Sequence, residues 1–194
     1  MAETDEALAG MSPELVGVLV EELGSSSRRH RQDVSRRIAE VAKADPELLA
    51  PHVGALVEAL YKPEAQTRWQ VLDALTTLAP THAAEVAEGF DGAEASLFDD
   101  GSAMVRLAAF LFLCALGATS PELSDQAWPL LDEAIQCYHG DAEYHDMLVG
   151  LLGLARGDAS DATKKALVGR VSFDSKNGSG YIRQLSADIL AACK

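Results

Sequence analysis

The residues of this sequence best suited to chemistry are basic and evenly spaced. Arg31, Arg68, Arg106, His145 and Arg183 follow one another at separations of 37, 38, 39 and 38 residues. A guanidinium presents its N–H donors as a planar fork that matches a carboxylate. A row of such groups can grip an acidic or C-terminal peptide, or it can tie each structural unit to the next. Trp69 stands beside Arg68, and Tyr144 and Tyr181 lie near His145 and Arg183 in almost equivalent register. Arg68, Trp69, Arg106, Tyr144, His145, Tyr181 and Arg183 are therefore the candidate partner-binding residues.

Other constellations point to less. Cys137, His139, Asp141, His145 and Asp146 gather metal-capable side chains, yet neither HExxH nor paired CxxC spacing is present. Asp141 reads as a helix N-cap after Gly140, and no metal or cofactor is expected. The stretch Lys176-Asn177-Gly178-Ser179-Gly180 has no strand before it and no P-loop ending, so it reads as a loop between helices. Arg28, Arg29, Arg31, Arg36 and Arg37 form a basic run with His30, but no aromatics interleave and Glu21, Glu22, Asp33 and Glu40 stand close by. No nucleophile, base and orienting group fall together, and no catalytic residue is expected.

The elements that carry these residues are helices. Each marker precedes apolar positions at helical spacing, as in Val34-Ile38-Val41, Val71-Leu75-Leu78 and Leu148-Leu152-Ala155. A second marker opens the other helix of a pair: Ser12-Pro13-Glu14-Leu15, Asp45-Pro46-Glu47-Leu48 and Ser120-Pro121-Glu122-Leu123. Ser or Asp supplies a capping oxygen, Pro fits the first turn, and Glu suits the positive end of the helix dipole. The spacing predicts helices at 13–23 with 27–43, 46–61 with 64–79, 82–98 with 102–117, 121–138 with 141–156, and 159–172 with 179–193. Gly89 and Gly92 predict a kink or break in 82–98.

A period near 38 with two helices per unit resembles the HEAT or armadillo class. Val105-Arg106-Leu107-Ala108-Ala109, running on to Ala115-Leu116-Gly117, resembles the second-helix pattern of a HEAT repeat. Asp100 and Asn177 stand six residues before Arg106 and Arg183, where HEAT repeats often carry an acid or amide; Ser25, Lys62 and His139 occupy that offset elsewhere. The resemblance implies an all-α, right-handed α-solenoid of about five antiparallel helix pairs. It covers 11–194 as a single repeat domain behind a loose acidic tail at 1–10. It also implies that the regular arginines hold neighbouring repeats together.

Composition narrows the function. The chain has 194 residues and a net charge of −14; residues 38–163 carry 21 acidic and 5 basic side chains, while 164–194 carry 2 and 6. An acidic middle repels nucleic acid and anionic lipid, and it suits a basic partner or the basic end of another copy in a homo-oligomer. Three cysteines without paired spacing, no signal-like N-terminus, and a longest apolar stretch of 12 residues (Leu107–Ala118) point to a cytoplasmic protein. The expected function is a scaffold or adaptor, not an enzyme, that takes a protein or peptide on the concave face or the acidic surface. The alternative is a HEAT-like enzyme of the DNA glycosylase type, which the charge disfavours.

Overall fold

The computed structural model describes residues 11–194, so the tail expected at 1–10 lies outside the described residues. Every regular element among them is a helix. The chain divides into two compact units at Ala108/Ala109. None of the described helices is long and apolar enough to cross a membrane.

In the first unit, α1 (Pro13–Glu21) is followed by a 3-10 turn at Glu22–Gly24 and by α2 (Arg28–Ala44). Ser12 Oγ accepts the Leu15 N–H and Ser27 Oγ accepts the His30 N–H, so hydroxyls start both helices. The helix expected over 46–61 is shorter. Two 3-10 turns, Pro46–Leu48 and Ala50–His52, precede α3 (Val53–Ala59). Pro51 accounts for this, since its ring lacks an N–H and crowds the carbonyl of residue 47. Then come α4 (Ala65–Leu78), α5 (Ala83–Val86), a 3-10 turn at Ala87–Gly89 and α6 (Phe90–Leu97). The break expected in 82–98 falls at Gly89, while Gly92 serves packing. A Cβ there would lie 2.8 Å from Leu60 Cδ1. Ile38, Leu49, Leu56, Leu72, Leu75, Leu78 and Leu97 are fully buried and form the core of this unit.

The division falls within α7 (Ala103–Gly117). The second unit continues with α8 (Pro121–Tyr138), α9 (Tyr144–Arg156), α10 (Asp161–Asn177) and α11 (Gly180–Ala192). Ser120 and Ser160 cap α8 and α10 through the N–H groups of Leu123 and Thr163. Asp141 is not the N-cap expected for α9; its carbonyl accepts the Tyr144 N–H inside a turn. The fourth helix of this unit, α10, outruns its expected end at 172 and takes in Lys176 and Asn177. The Gly-rich stretch is thus a helix end and a tight turn. A Cβ on Gly178 would sit 2.5 Å from the Asp174 carbonyl oxygen, and Gly180 has φ +54°. Phe110, Phe112, Leu113, Leu116, Leu131, Leu148 and Leu151 are fully buried.

Candidate functional site

The evenly spaced arginines of the first unit are used inside it. Arg31 on α2 donates from Nε to Glu64 Oε2 at 3.1 Å and from Nη2 to Glu64 Oε1, while Nη1 reaches the Ser25 carbonyl at 2.6 Å. The two side chains are 11% and 2% exposed, so the pair is nearly dry. The Arg31 guanidinium holds the Glu64 carboxyl below the usual carboxylate range, against the opposing effect of burial. Arg68 on α4 repeats the arrangement one unit on, donating from Nη2 to Asp99 Oδ2 at 2.8 Å. Arg106 on α7 donates from Nη1 to the Asp99 carbonyl at 2.9 Å. The residue six or seven places before the arginine therefore contributes its backbone carbonyl, as Ser25 and Asp99 do. Asp100, the acid marked by its offset from Arg106, is exposed, and it is Asp99 that pairs with Arg68.

Further polar links span one repeat in each unit. In the first, buried Ser35 donates to Gln70 Oε1 at 2.8 Å, and Glu47 takes Thr81 Oγ1 at 3.2 Å and His82 Nε2 at 2.9 Å. In the second, Arg170 on α10 makes two 2.7 Å bonds to Asp132 on α8. Thr163 Oγ1 and Ser160 Oγ donate to Asp125, and the Ser160 N–H donates to fully buried Ser124. His139 meets Asp174 at 3.0 Å.

The remaining candidates of the second unit divide between core and surface. Tyr144 is 1% exposed, and its ring lies 4.7 Å from that of His139. Burial first, and then the nearby Asp174 carboxylate, push its hydroxyl up to about 12. His145 is exposed, bonds Asp146 at 2.8 Å and meets Tyr181 edge-on at 5.1 Å. Tyr181 and Arg183 are exposed on α11. Among the described residues no group of three His, Cys, Asp or Glu side chains is placed to hold a metal ion.

The second helices differ in what they leave to solvent: α2 exposes Arg28, Arg29, Asp33, Arg36 and Arg37, whereas α4 and the first turns of α7 expose little charge. On α4, positions 67, 70, 71, 72, 74, 75 and 78 are buried, which leaves Trp69 and Asp73, one helical turn apart, on the half-exposed face. The same face of α7 carries Met104, which is exposed, and Leu107, at the position equivalent to Trp69. On α9 the position equivalent to Trp69 holds exposed Asp146, and exposed His145 and Val149 lie to one side of it. The first helices of the first four pairs are rich in exposed acids, although α1 also exposes Leu15 and Val18, and α10 of the last pair is basic and exposes Phe173. Glu14 and Glu21, Glu58, Glu85, Asp91 and Glu94, and Glu122 and Glu133 are all exposed, and no Lys or Arg occurs in α1, α3, α5, α6 or α8. Asp73 is the feature that sequence reasoning missed. It forms no hydrogen bond or ion pair among the described residues, and burial raises its carboxyl above the usual range despite the opposing field of Lys43.

Neither a family model nor a curated protein matches the chain. Solved structures do. A crystal structure of an engineered protein superposes with a TM-score of 0.77 at 17% identity, over 98% of this chain and 87% of that one. A designed armadillo repeat protein in complex with the peptide (KR)4 gives 0.76 at 14% identity, over 100% and 91%. The archaeal HEAT-like repeats protein from Thermococcus onnurineus NA1 gives 0.64 at 16% identity, over 98% and 74%. The chain has the armadillo- and HEAT-like helical-repeat fold. The all-α solenoid read from the five markers is this fold, and at such identity the likeness carries architecture alone.

Proposed function

We propose that the protein is a non-catalytic adaptor that binds a peptide segment of a partner protein across the outward faces of its second helices. One observation supports this above others: in the first unit the outward faces of α4 and α7 leave Trp69, Met104 and Leu107 partly or fully open, while Arg31 and Arg68 are engaged between repeats. Half-exposed Trp69 and exposed Met104 are the kind of side chains that anchor interfaces. Stacked helix pairs of this fold present extended surfaces suited to such segments. That a designed protein of the same fold holds (KR)4 is consistent with the reading. The second unit offers an exposed pair of its own, His145 and Tyr181, whose rings meet edge-on at 5.1 Å. The test is selection from a random-peptide display library, followed by calorimetry on enriched sequences. Micromolar binders that compete with one another support the reading. A library that yields none overturns it.

A further inference from the structure

We infer that this chain binds a second copy of itself, with Phe173 on α10 of one copy entering a hollow between α1 and α3 of the next. The apolar residues of α10 do not share one face. Leu167 and Val171 are fully buried, whereas Phe173 is 71% exposed, more than any other large apolar side chain among the described residues. Gly169 stands one turn before it on the same side, and a Cβ there would meet nothing within 4 Å. The phenyl ring therefore stands clear on an open helix face. The charges beside it are Arg170, Asp174 and Lys176. Asp132 engages Arg170 at 2.7 Å and His139 engages Asp174 at 3.0 Å, while Lys176 is exposed and forms no ion pair or hydrogen bond among the described residues. The surface presented is thus an apolar ring with a free ammonium one turn on.

The first unit offers the counterpart. Val20 on α1 and Leu23 in the 3-10 turn after it, with Ala55 and Ala59 on α3, line a hollow of about 210 Å³ that opens to solvent. An apolar cavity of about 150 Å³ holds benzene, so a phenyl ring fits. Glu21 and Glu58 also line it, both exposed and neither in an ion pair among the described residues. Lys62 shares the rim, so two acids against one base leave a negative field to meet Lys176. Tyr61, next to Lys62 and 64% exposed, adds a second ring at this edge. The wider charges agree: α1, α3, α5 and α6 carry acids and no Lys or Arg, whereas α10 carries four bases and two acids. The two surfaces are different patches, so the contact is heterologous. When one copy fills the hollow of another, each keeps one surface unfilled, and a third copy can add. The contact lies on first helices, apart from the proposed peptide-binding face, and the peptide leaves these helices free.

Light scattering of the whole chain tests this, in reductant so that exposed Cys137 cannot cross-link. Wild type should exceed its monomer mass of 20.6 kDa, increasingly so up to about 1 mM, and salt should weaken the association a few-fold. Phe173→Ser and Ala55→Arg should each weaken it about tenfold or more. Both positions are exposed, so both variants should melt as wild type does. The deciding sample is their mixture. Phe173→Ser keeps an intact hollow and Ala55→Arg keeps an intact Phe173, so together they should form a one-to-one pair that stops at a dimer. A mixture that stays monomeric, or a Phe173→Ser variant that associates as wild type does, would overturn the contact. Wild type that remains at 20.6 kDa at every concentration would overturn it as well, and would leave Phe173 to a different protein.

Discussion

Replacing Arg31 with Ala removes three donors at once, two from Glu64 and one from the Ser25 carbonyl. The carboxylate it abandons is 2% exposed. Breaking a buried pair by removing one partner costs about 3–5 kcal/mol, because the remaining charge is stranded. At about 2–4 °C per kcal/mol for a chain of this size, the melting temperature should fall by roughly 10 °C. Urea titration of wild type, Arg31→Ala, Glu64→Gln and the double variant closes a cycle, and the two changes should couple by about 2 kcal/mol or more. The pH dependence has a definite sign. Glu64 has a folded-state pKa below its unfolded value, so its contribution is complete above the unfolded pKa and is lost as pH falls through the folded one. The gap between wild type and Arg31→Ala should therefore close in acid. A loss under about 0.5 kcal/mol at neutral pH, or strict additivity in the cycle, would refute the view that this arginine joins repeats.

Two further outcomes follow from the packing. Cys137 is exposed, whereas Cys114 is buried and its thiol is pushed far up by desolvation. A thiol reagent should label Cys137 in the native protein and reach Cys114 only at the rate of unfolding; equal rates would contradict that burial. At Gly157 a Cβ would lie 2.4 Å from the Ala118 carbonyl oxygen, which also accepts the Asp158 N–H at 2.7 Å. Gly157→Ala should cost about 1–3 kcal/mol in urea, and an unchanged midpoint would mean that this turn yields without strain.

Much of the fold could be read because a repeat multiplies each weak signal. Arg31, Arg68 and Arg106 mark the second helices at even spacing, and Ser12 and Ser120 cap the first helices where they were expected. The departures have local causes. Pro51 sits inside an apolar pattern that reads as one helix, and its missing N–H turns that stretch into two 3-10 turns. Gly178 and Ser179 look like a longer loop because neighbouring Lys176 and Asn177 are polar, yet those two complete α10. The site was less legible. Arg106 binds a backbone carbonyl, which no side-chain pattern reveals, and Asp99 rather than its neighbour Asp100 faces Arg68. Tyr144 shares the register of a surface stripe but turns into the core, since the face of a single aromatic depends on where its helix begins. Asp73 carries no motif at all. Its desolvation arises from packing, and the only cue in the sequence is its place four residues after Trp69.

The central claim is that the outward faces of the second helices take a partner's peptide while the first helices stay free. Hydrogen exchange measured with and without a display-selected peptide tests it most directly. The account predicts added protection in α4 and in the first turns of α7, with α3, α5 and α6 unchanged. Protection confined to the first helices, with α4 exchanging as in the free protein, would contradict it.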